Sequence, residues 1–297
     1  MNEKKSVLVI INPIAGTSPK NQIPSVLAKR LNPAQYTVDI QFSEYKGHAG
    51  VLAKQAVDNR YHYVLAVGGD GTVNEIARNL VHTDTALAII PSGSGNGLAR
   101  HLGISLQISK AVDVFLAENV TPVDYCKAND TFFFCTFGVG LDAKVSQAFS
   151  QRKTRGLHSY LTGAITEFAK LKPESYKITP ENEKMFLQKA LFITCANASQ
   201  WGYNVYVAPT ASVQDGLLDM VILLPFPIYD AAPLGVQLLT KNLDKSNYVK
   251  VIKTRHVTIE REKEGVAHVD GEPIFMGKKI EINNIRGGLK ALVPRKI

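Results

Sequence analysis

Residues 68–75 read Gly-Gly-Asp-Gly-Thr-Val-Asn-Glu, a combination of residue types suited to binding phosphate. The apolar, β-forming residues 63–67 precede this motif and predict a buried strand. The apolar residues of 73–80 recur every three or four positions and predict one face of a helix. A turn from strand to helix places backbone N–H groups beside a helix N-terminus, which favours an anion. Because Asp70 would repel a phosphate unless a cation lay between them, the motif predicts a nucleotide with Mg²⁺.

A simpler interpretation treats the same residues as a capped turn. Thr72 could cap the helix while Glu75, three residues later, completes a capping box. This alternative leaves the consecutive glycines and the acid that follows them unexplained. We therefore favour phosphate binding.

The amino-terminal half repeats this arrangement of strand, polar loop and helix. Strands are predicted at 7–11, 36–42, 63–67 and 87–90, with amphipathic helices between them. Such alternation predicts an α/β domain with a parallel sheet covered on both faces. Loops at the carboxyl ends of parallel strands meet at one edge of the sheet, where ligands bind. The loops predicted to meet there are 12–16, the residue Ser43, 68–75 and 92–96.

After Thr121 the pattern changes to short strands, which predicts an antiparallel β-sandwich or barrel. The predicted strands are 123–127, 131–137, 186–196, 217–224, 248–252, 257–260 and 267–269. Helices are predicted at 143–149, 157–171 and 229–240. Two domains suit a kinase of a bulky substrate, because phosphoryl transfer must exclude water.

Composition favours a cytoplasmic enzyme with anionic partners. The chain has 297 residues and a formal net charge of +8, and it contains no apolar segment of the ~20 residues needed to span a bilayer. The amino terminus leads directly into the first strand, so no signal peptide is expected. Nucleic acid ranks last among the anionic partners, because no basic and aromatic recognition pattern is present.

Residues 144–161 mix basic and large apolar side chains, among them Lys144, Arg152, Lys153 and Arg155. Such a stretch can rest on a membrane surface. More often such a stretch forms a helix with one solvated face and one core face. Both interpretations stay open.

Two acidic motifs in the second half could take part in chemistry. Asp215 opens the sequence Asp-Gly-Leu-Leu-Asp, and Asp270 opens Asp-Gly-Glu. Asp-Gly is also a common hairpin turn, so each motif could be only a turn. Asp215 could alternatively bind a metal ion. Asp270, at the end of a strand, could accept the proton of an attacking hydroxyl.

Taken in order along nearly the whole chain, these motifs resemble the diacylglycerol kinase catalytic-domain family, which includes bacterial lipid kinases and sphingosine kinases. The resemblance implies an ATP- and Mg²⁺-dependent kinase of a lipid hydroxyl in lipid metabolism or phospholipid biosynthesis. It implies an ATP-binding domain similar to those of NAD kinases and phosphofructokinases at 1–121 and a β-sandwich lipid-substrate domain at 122–285. The tail 286–297 is expected to return to the first domain.

The resemblance also implies roles for individual residues. Asp270 corresponds to the catalytic base of bacterial members, and Asp70 to the base assigned in sphingosine kinases. Asp215 corresponds to a metal-binding acid, with Ser212 and Leu217 supplying backbone carbonyls. Asp124, Asp142 and Glu272 correspond to acids near the cleft. The ATP-binding positions are Asn12, Pro13, Gly16, Ser43, Gly68, Gly69, Asp70, Gly71, Thr72, Asn74, Glu75, Ser94, Gly95 and Asn96.

The substrate class stays open between diacylglycerol-like lipids and sphingoid bases. Gly97 occupies a position where bacterial diacylglycerol kinases usually carry Asp. A small residue here makes the loop more similar to that of sphingosine kinases. A lipid substrate implies peripheral association with the inner face of the membrane. A homodimer is compatible with the sequence. The alternative functions are an NAD-kinase-like kinase of a soluble substrate and a non-catalytic lipid- or nucleotide-binding regulator.

Overall fold

The computed structural model describes residues 4–16, 20–150 and 172–295. Contacts divide the chain into two compact units, Met1–Val123 with Gly287–Ile297 and Asp124–Arg286. The sequence-based boundaries are at residues 121 and 286. The predicted helix 157–171 and the basic residues 152–155 lie outside the described residues. Among the helices that are described, none is long and apolar enough to cross a bilayer.

The first unit contains the predicted parallel sheet. Its strands are β1 Lys5–Ile11, β2 Tyr36–Phe42, β3 Tyr63–Gly68 and β4 Ala86–Pro91, and its helices are α1 Ile23–Arg30, α2 His48–Asp58, α3 Asp70–Leu80, α4 Gly97–His101 and α5 Ile108–Leu116. The strands lie in the order β2-β1-β3-β4, and each neighbouring pair is parallel. The central strands are almost entirely buried, because helices cover both faces of a sheet of this kind. A residue of the returning tail, Ala291, pairs in parallel with Leu87 of β4.

The capping-box alternative for residues 72–75 is wrong. Helix α3 begins at Asp70 with Gly69 as its N-cap, and no side chain caps it. Thr72 therefore lies inside the first turn, where its Oγ1 accepts a hydrogen bond of 2.9 Å from Asn12 Nδ2. Glu75 Oε1 accepts the N–H of Gly47 at 2.9 Å. Both side chains join neighbouring loops to α3 instead of capping their own helix.

The second unit consists of antiparallel sheets that share one apolar core, which confirms the predicted fold class. Its strands are β5 Val120–Ala128, β6 Thr131–Phe133, β7 Thr136–Gly140, β8 Glu174–Pro180, β9 Phe186–Ala190, β10 Phe192–Ala196, β11 Leu218–Leu223, β12 Val249–Thr254, β13 His256–Arg261, β14 Gly265–Val269, β15 Glu272–Met276 and β16 Lys279–Leu292, and its helices are α6 Leu141–Ser150 and α7 Ala231–Leu239. The first residues of β5 and the last residues of β16 belong to the first unit. One sheet has the order β12-β11-β10-β7-β14-β15, and β8, β9, β13 and β16 pair in another. Side chains such as Phe137, Met220, Tyr176 and Ile259 from these sheets meet in the core.

Two predicted strands are each divided in the structure. The predicted strand 131–137 is interrupted because the N–H groups of Phe134 and Cys135 donate to the Asp270 carboxylate. The predicted strand 186–196 is interrupted at Leu191, whose N–H bonds to Leu223 while its carbonyl accepts from Leu141. Strands β8, β15 and β16 and helix α5 were not predicted. The predicted helix 229–240 starts as a 3-10 turn at Ile228–Asp230 before α7.

Candidate functional site

The four loops predicted to meet at one edge of the first unit's sheet are joined by direct hydrogen bonds. Asn12 bonds to Thr72 as described above, which joins the β1 loop to α3. The N–H of Ser43 donates to the carbonyl of Ile11, and the N–H of Ser92 donates to the carbonyl of Gly68, each at 2.9 Å. The loops after β1, β2, β3 and β4 therefore form one continuous surface.

Glycines allow three of these loops to touch through their backbones. A Cβ atom on Gly93 would lie 2.2 Å from Gly69 Cα, closer than real Cβ contacts allow. A Cβ atom on Gly16, which has φ +57°, would lie 2.2 Å from the Ser92 carbonyl oxygen. At these contacts the loops therefore meet through backbone atoms alone. Backbone N–H groups arranged in this way suit phosphate oxygens.

Ser92 belongs to the predicted loop 92–96, but Ser94, two residues later, was the serine predicted to contact ATP. Ser92 is 8 % exposed, and its Oγ has no hydrogen-bond partner among the described residues. A buried hydroxyl without a partner is costly, so it points to a ligand or water. The first N–H groups of α3 also lack intrahelical acceptors. The site therefore fits a polyphosphate such as that of ATP.

Asp70 and Asn96 hold the glycine-rich loops in place. Asp70 Oδ1 accepts the N–H of Leu98 at 3.3 Å, which joins the start of α3 to the start of α4. Asn96 has φ 51°, and its side chain bonds to both the N–H and the carbonyl of Gly93. The other predicted ATP-binding positions differ in exposure. Pro13 is exposed, Ser43 and Thr72 are buried, and Asn12, Gly16, Gly71, Asn74, Glu75, Ser94 and Gly95 are half-buried.

In the second unit, Asp270 occupies a hairpin turn and also holds a hydrogen-bonded carboxylate. Asp270 and Gly271 have φ 48° and 82° and connect the paired residues Val269 and Glu272, as in a two-residue hairpin. The carboxylate accepts backbone N–H groups from Phe134, Cys135 and Thr136 at 3.0, 2.7 and 3.1 Å. Hydrogen bonds of this kind fix the position of the carboxylate. Both interpretations of this motif, turn and positioned acid, are therefore compatible with its geometry.

A buried pair of side chains supports the Asp270 turn. His268 Nε2 lies 3.1 Å from Asp142 Oδ2, and both side chains are almost fully buried. Because the N–H of Gly271 points to His268 Nδ1 at 3.4 Å, that nitrogen must accept and the proton belongs on Nε2. Gly138 leaves room for the pair, since a Cβ there would lie 1.9 Å from Asp142 Oδ2. Asp142 is thus an interior support, His268 and Gly138 were missed, and Glu272 is exposed at the start of β15.

The Asp215 carboxylate has one oxygen in a hydrogen bond and the other in a long ion pair. Asp215 Oδ1 accepts the N–H of Leu217 at 3.0 Å, and Oδ2 lies 3.8 Å from Lys253 Nζ. That ammonium is closer to Asp219 Oδ1, at 2.8 Å. The fully buried Asp124 accepts the N–H of Gly216 at 2.7 Å, so it holds the turn from the interior of the unit.

These residues fit a largely hydrated Mg²⁺ better than a cage of protein side chains. Within residues 4–16, 20–150 and 172–295, no three His, Cys, Asp or Glu side chains cluster as metal ligands. Ser212 Oγ already accepts the N–H of Gln214 at 3.2 Å. Mg²⁺ commonly keeps several waters and uses one or two carboxylates. Asp215 can supply one such carboxylate.

The two halves of the chain match two family descriptions in sequence. Residues 6–128 match the diacylglycerol kinase catalytic domain, and residues 135–281 match the YegS C-terminal NAD kinase beta sandwich-like domain. A Staphylococcus haemolyticus protein named diacylglycerol kinase is 28% identical over 304 residues, covering 99% of this chain and 90% of its own length. The chain is therefore similar to that protein over almost its full extent.

Solved structures show the same fold. The crystal structure of a diacylglycerol kinase from Bacillus anthracis has a TM-score of 0.77 at 22% identity and covers 99% of both chains. An NAD kinase from Archaeoglobus fulgidus in complex with ATP has a TM-score of 0.53 at 12% identity, covering 98% of this chain and 94% of that one. The sequence-based prediction of the family is confirmed. With both halves matched in this order, the chain belongs to the diacylglycerol kinase catalytic-domain family, a family of lipid kinases.

Proposed function

We propose that this lipid kinase transfers the γ-phosphoryl group of ATP to the hydroxyl of a diacylglycerol-like or sphingoid lipid. The observation that carries the proposal is the contact of the β1, β3 and β4 loops through Gly16, Gly69 and Gly93 beside the unpartnered Ser92 hydroxyl. This surface offers backbone N–H groups and one hydroxyl to phosphate oxygens. Its position at the carboxyl ends of parallel strands is where such sheets bind ligands.

ATP would lie against these loops, with Mg²⁺ held between Asp70 and the phosphates. When bound, the metal ion neutralises charge on the transferring phosphoryl group. Asn12 and Thr72 hold the β1 loop against α3, and Asp70 holds α3 against α4. We also propose that Asp215, with the carbonyls of Ser212 and Leu217, holds a structural Mg²⁺.

We propose that Asp270 accepts the proton of the lipid hydroxyl and that Asp70 mainly organises Mg²⁺-ATP. Three amide donors fix the position of the Asp270 carboxylate, so that it could accept a proton without rearrangement. His268 and Asp142 position the turn from the interior. In a loose phosphoryl-transfer transition state, positioning and charge supply most of the acceleration.

The test compares Asp270→Asn with Asp70→Asn. Asp270→Asn removes the proton acceptor, so turnover should fall about 10²–10⁴-fold while the affinity for Mg²⁺-ATP changes less than about twofold. Asp70→Asn should weaken Mg²⁺-ATP binding together with turnover. Transfer of labelled phosphate to diacylglycerol, sphingosine and NAD would measure turnover and identify the acceptor class. Calorimetric titration with Mg²⁺-ATP would measure affinity.

Asp130→Asn is the matched control, because Asp130 is an exposed acid in the Asn129-Asp130 hairpin turn between β5 and β6 of the same unit. Its turnover should equal that of the parent. Melting temperatures would show whether the change Asp270→Asn disturbs the packing around the three amide donors. The two roles are reversed if Asp70→Asn keeps its Mg²⁺-ATP affinity without turnover while Asp270→Asn remains active. Phosphorylation of NAD alone would replace the lipid proposal by the NAD-kinase-like alternative.

We further propose that the protein acts as a peripheral enzyme at the cytoplasmic face of the membrane. The apolar chains of a diacylglycerol-like or sphingoid lipid favour the bilayer over water, so a kinase of such a lipid works at the bilayer surface. The formal net charge of +8 would attract the protein to anionic headgroups.

A further inference from the structure

The segment Ile228–Leu239 of the second unit presents an apolar face to solvent. Ile228, Tyr229, Val236 and Leu239 are 70 %, 76 %, 59 % and 48 % exposed. Within α7 the spacing of three residues places Val236 and Leu239 on one side of the helix, and Ile228 and Tyr229 belong to the 3-10 turn that precedes it. No charged residue occurs from Ala231 to Leu239. A surface helix normally directs polar residues outward, so this helix has the opposite pattern.

The opposite side of the segment attaches it firmly to the unit. Leu234 is 6 % exposed and belongs to an apolar cluster that Leu238 also contacts. The Leu238 carbonyl accepts the N–H of Tyr206 at 2.8 Å, and Asp230 Oδ2 accepts the Tyr248 hydroxyl at 2.7 Å. The contacts of the inner face therefore hold the segment on the unit, and the outer apolar face is not required for this attachment.

Positive charge follows directly at the end of the helix. Lys241 and Lys245 are exposed, and neither forms an ion pair with an acid in the described part of the chain. The Lys241 ammonium lies 4.6 Å from the centroid of the Tyr206 ring. Of the two nearby acids, Asp230 bonds inward to Tyr248, and Asp244 is half-buried. The charges that face solvent next to the apolar side chains are therefore mainly basic.

We propose that the outer face of Ile228–Leu239 inserts into the interfacial layer of an anionic lipid bilayer and docks the enzyme on the membrane. This inference rests on the proposed lipid kinase function, which requires a membrane-bound substrate. Interfacial helices bury their apolar face about 5–10 Å deep while basic residues stay at headgroup level. Tyrosine is favoured at the same level. The aromatic ring, the aliphatic side chains and the following lysines match this arrangement.

A bilayer fits this face better than a second copy of the chain. A stable protein interface covers about 800 Å² on each partner. The nine residues of α7 extend only about 13 Å at 1.5 Å per residue. A bilayer accepts a small apolar face of any shape, whereas a protein partner must be complementary to it.

The first experiment measures binding to vesicles of equal parts phosphatidylglycerol and phosphatidylcholine by flotation. Val236→Asp combined with Leu239→Asp should weaken binding at least tenfold. Leu187→Asp is the matched control, because Leu187 is 75 % exposed on β9 of the same unit. This control should bind as the parent does. All three proteins should keep their melting temperature, since exposed substitutions seldom alter stability.

A second experiment reports insertion directly. Trp201 is the only tryptophan of the chain, so Tyr229→Trp in a Trp201→Phe background places one fluorophore on the proposed face. Its emission should shift to shorter wavelength on addition of these vesicles and be quenched by brominated lipid. Leu187→Trp in the same background should show neither effect.

The outcomes separate this inference from the proposed function. The inference requires that the double aspartate variant lose vesicle binding yet phosphorylate a short-chain, water-dispersed lipid at the parent's rate. Undiminished vesicle binding by that variant, or an unquenched tryptophan at position 229, would overturn it. A parent dimer that the variant dissociates, with vesicle binding unchanged, would instead assign the face to self-association. A protein that binds vesicles through this face but phosphorylates no lipid would refute the proposed function alone.

Discussion

Gly93→Ala tests whether backbone contact between the β3 and β4 loops sets the activity. The added Cβ would lie 2.2 Å from Gly69 Cα and 3.0 Å from Gly69 N. Both neighbours are backbone atoms, which cannot rotate away as a flexible side chain could. The loops must therefore move apart.

The size of that movement follows from the contact distance. Cβ contacts below 3.4 Å are uncommon, so relief of the 2.2 Å contact requires a shift of about 1.2 Å. A displacement of about 1 Å in groups that position reactants can cost 10²-fold in rate. We therefore expect turnover to fall about 10²-fold and the free energy of unfolding to fall by about 1–3 kcal/mol from overpacking.

Gly69→Ala provides an internal comparison at the same contact. Its Cβ would lie 3.0 Å from Gly93 Cα, so a shift of about 0.4 Å suffices and the loss of turnover should be much smaller. Gly277→Ala is the control, because no described residue other than its two chain neighbours has an atom within 4 Å of the added Cβ. Mg²⁺-ATP affinity by calorimetry, transfer of labelled phosphate to lipid and thermal unfolding would be measured for each variant.

The loss of turnover should be largest in Gly93→Ala, smaller in Gly69→Ala and negligible in Gly277→Ala. A Gly93→Ala protein that folds, binds Mg²⁺-ATP and turns over within threefold of the parent would contradict the importance of this contact. A larger loss of activity in Gly69→Ala than in Gly93→Ala would also contradict it. A loss in Gly277→Ala of similar size would indicate a general effect of added methyl groups.

Two further predictions concern pH and metal ions. Burial lowers the pKa of His101 to about 4 from 6.5, so the stability due to its neutral form is complete above pH 6.5. It is lost toward pH 4, at up to about 1.4 kcal/mol per pH unit, because the unfolded chain binds the proton first. His101→Gln should reduce the loss of unfolding free energy between pH 7.5 and 4.5, measured from melting curves. A difference in unfolding free energy between variant and parent that stays the same at every pH would contradict this prediction. Mg²⁺ should raise the melting temperature of the parent but not of Asp215→Ala. Lys253→Met removes a cation that competes for Asp215, so Mg²⁺ should raise the melting temperature of this variant more than that of the parent. An equal rise in all three proteins would contradict a Mg²⁺ site at Asp215.

The elements with strong periodicity could be predicted from sequence alone. The buried strand at 63–67 and the amphipathic residues of 73–80 lie within β3 and α3. Their order with the neighbouring strands determines a parallel sheet, and a parallel sheet brings its loops to one edge. The convergence of 12–16, 68–75 and 92–96 followed from local pattern for that reason.

Hydrogen bonds between distant residues were beyond the sequence. The break between β6 and β7 depends on Asp270, more than 130 positions away, accepting N–H groups that a continuous strand would use itself. Similarly, Thr72 and Glu75 match a capping box in sequence, yet Asn12 and Gly47 bind them instead. Local pattern cannot show which distant partner competes for a polar group.

Periodicity and motif order were sufficient to predict the fold class, the family and the loops that meet at the sheet edge. Three features are visible only in the folded chain: the buried Ser92 hydroxyl, the His268–Asp142 support and the outward apolar face of Ile228–Leu239. Apolar residues in a helix predict burial, and their actual exposure depends on which side the rest of the unit covers. Burial and pairing are properties of the packed chain, since each depends on atoms that folding brings from elsewhere.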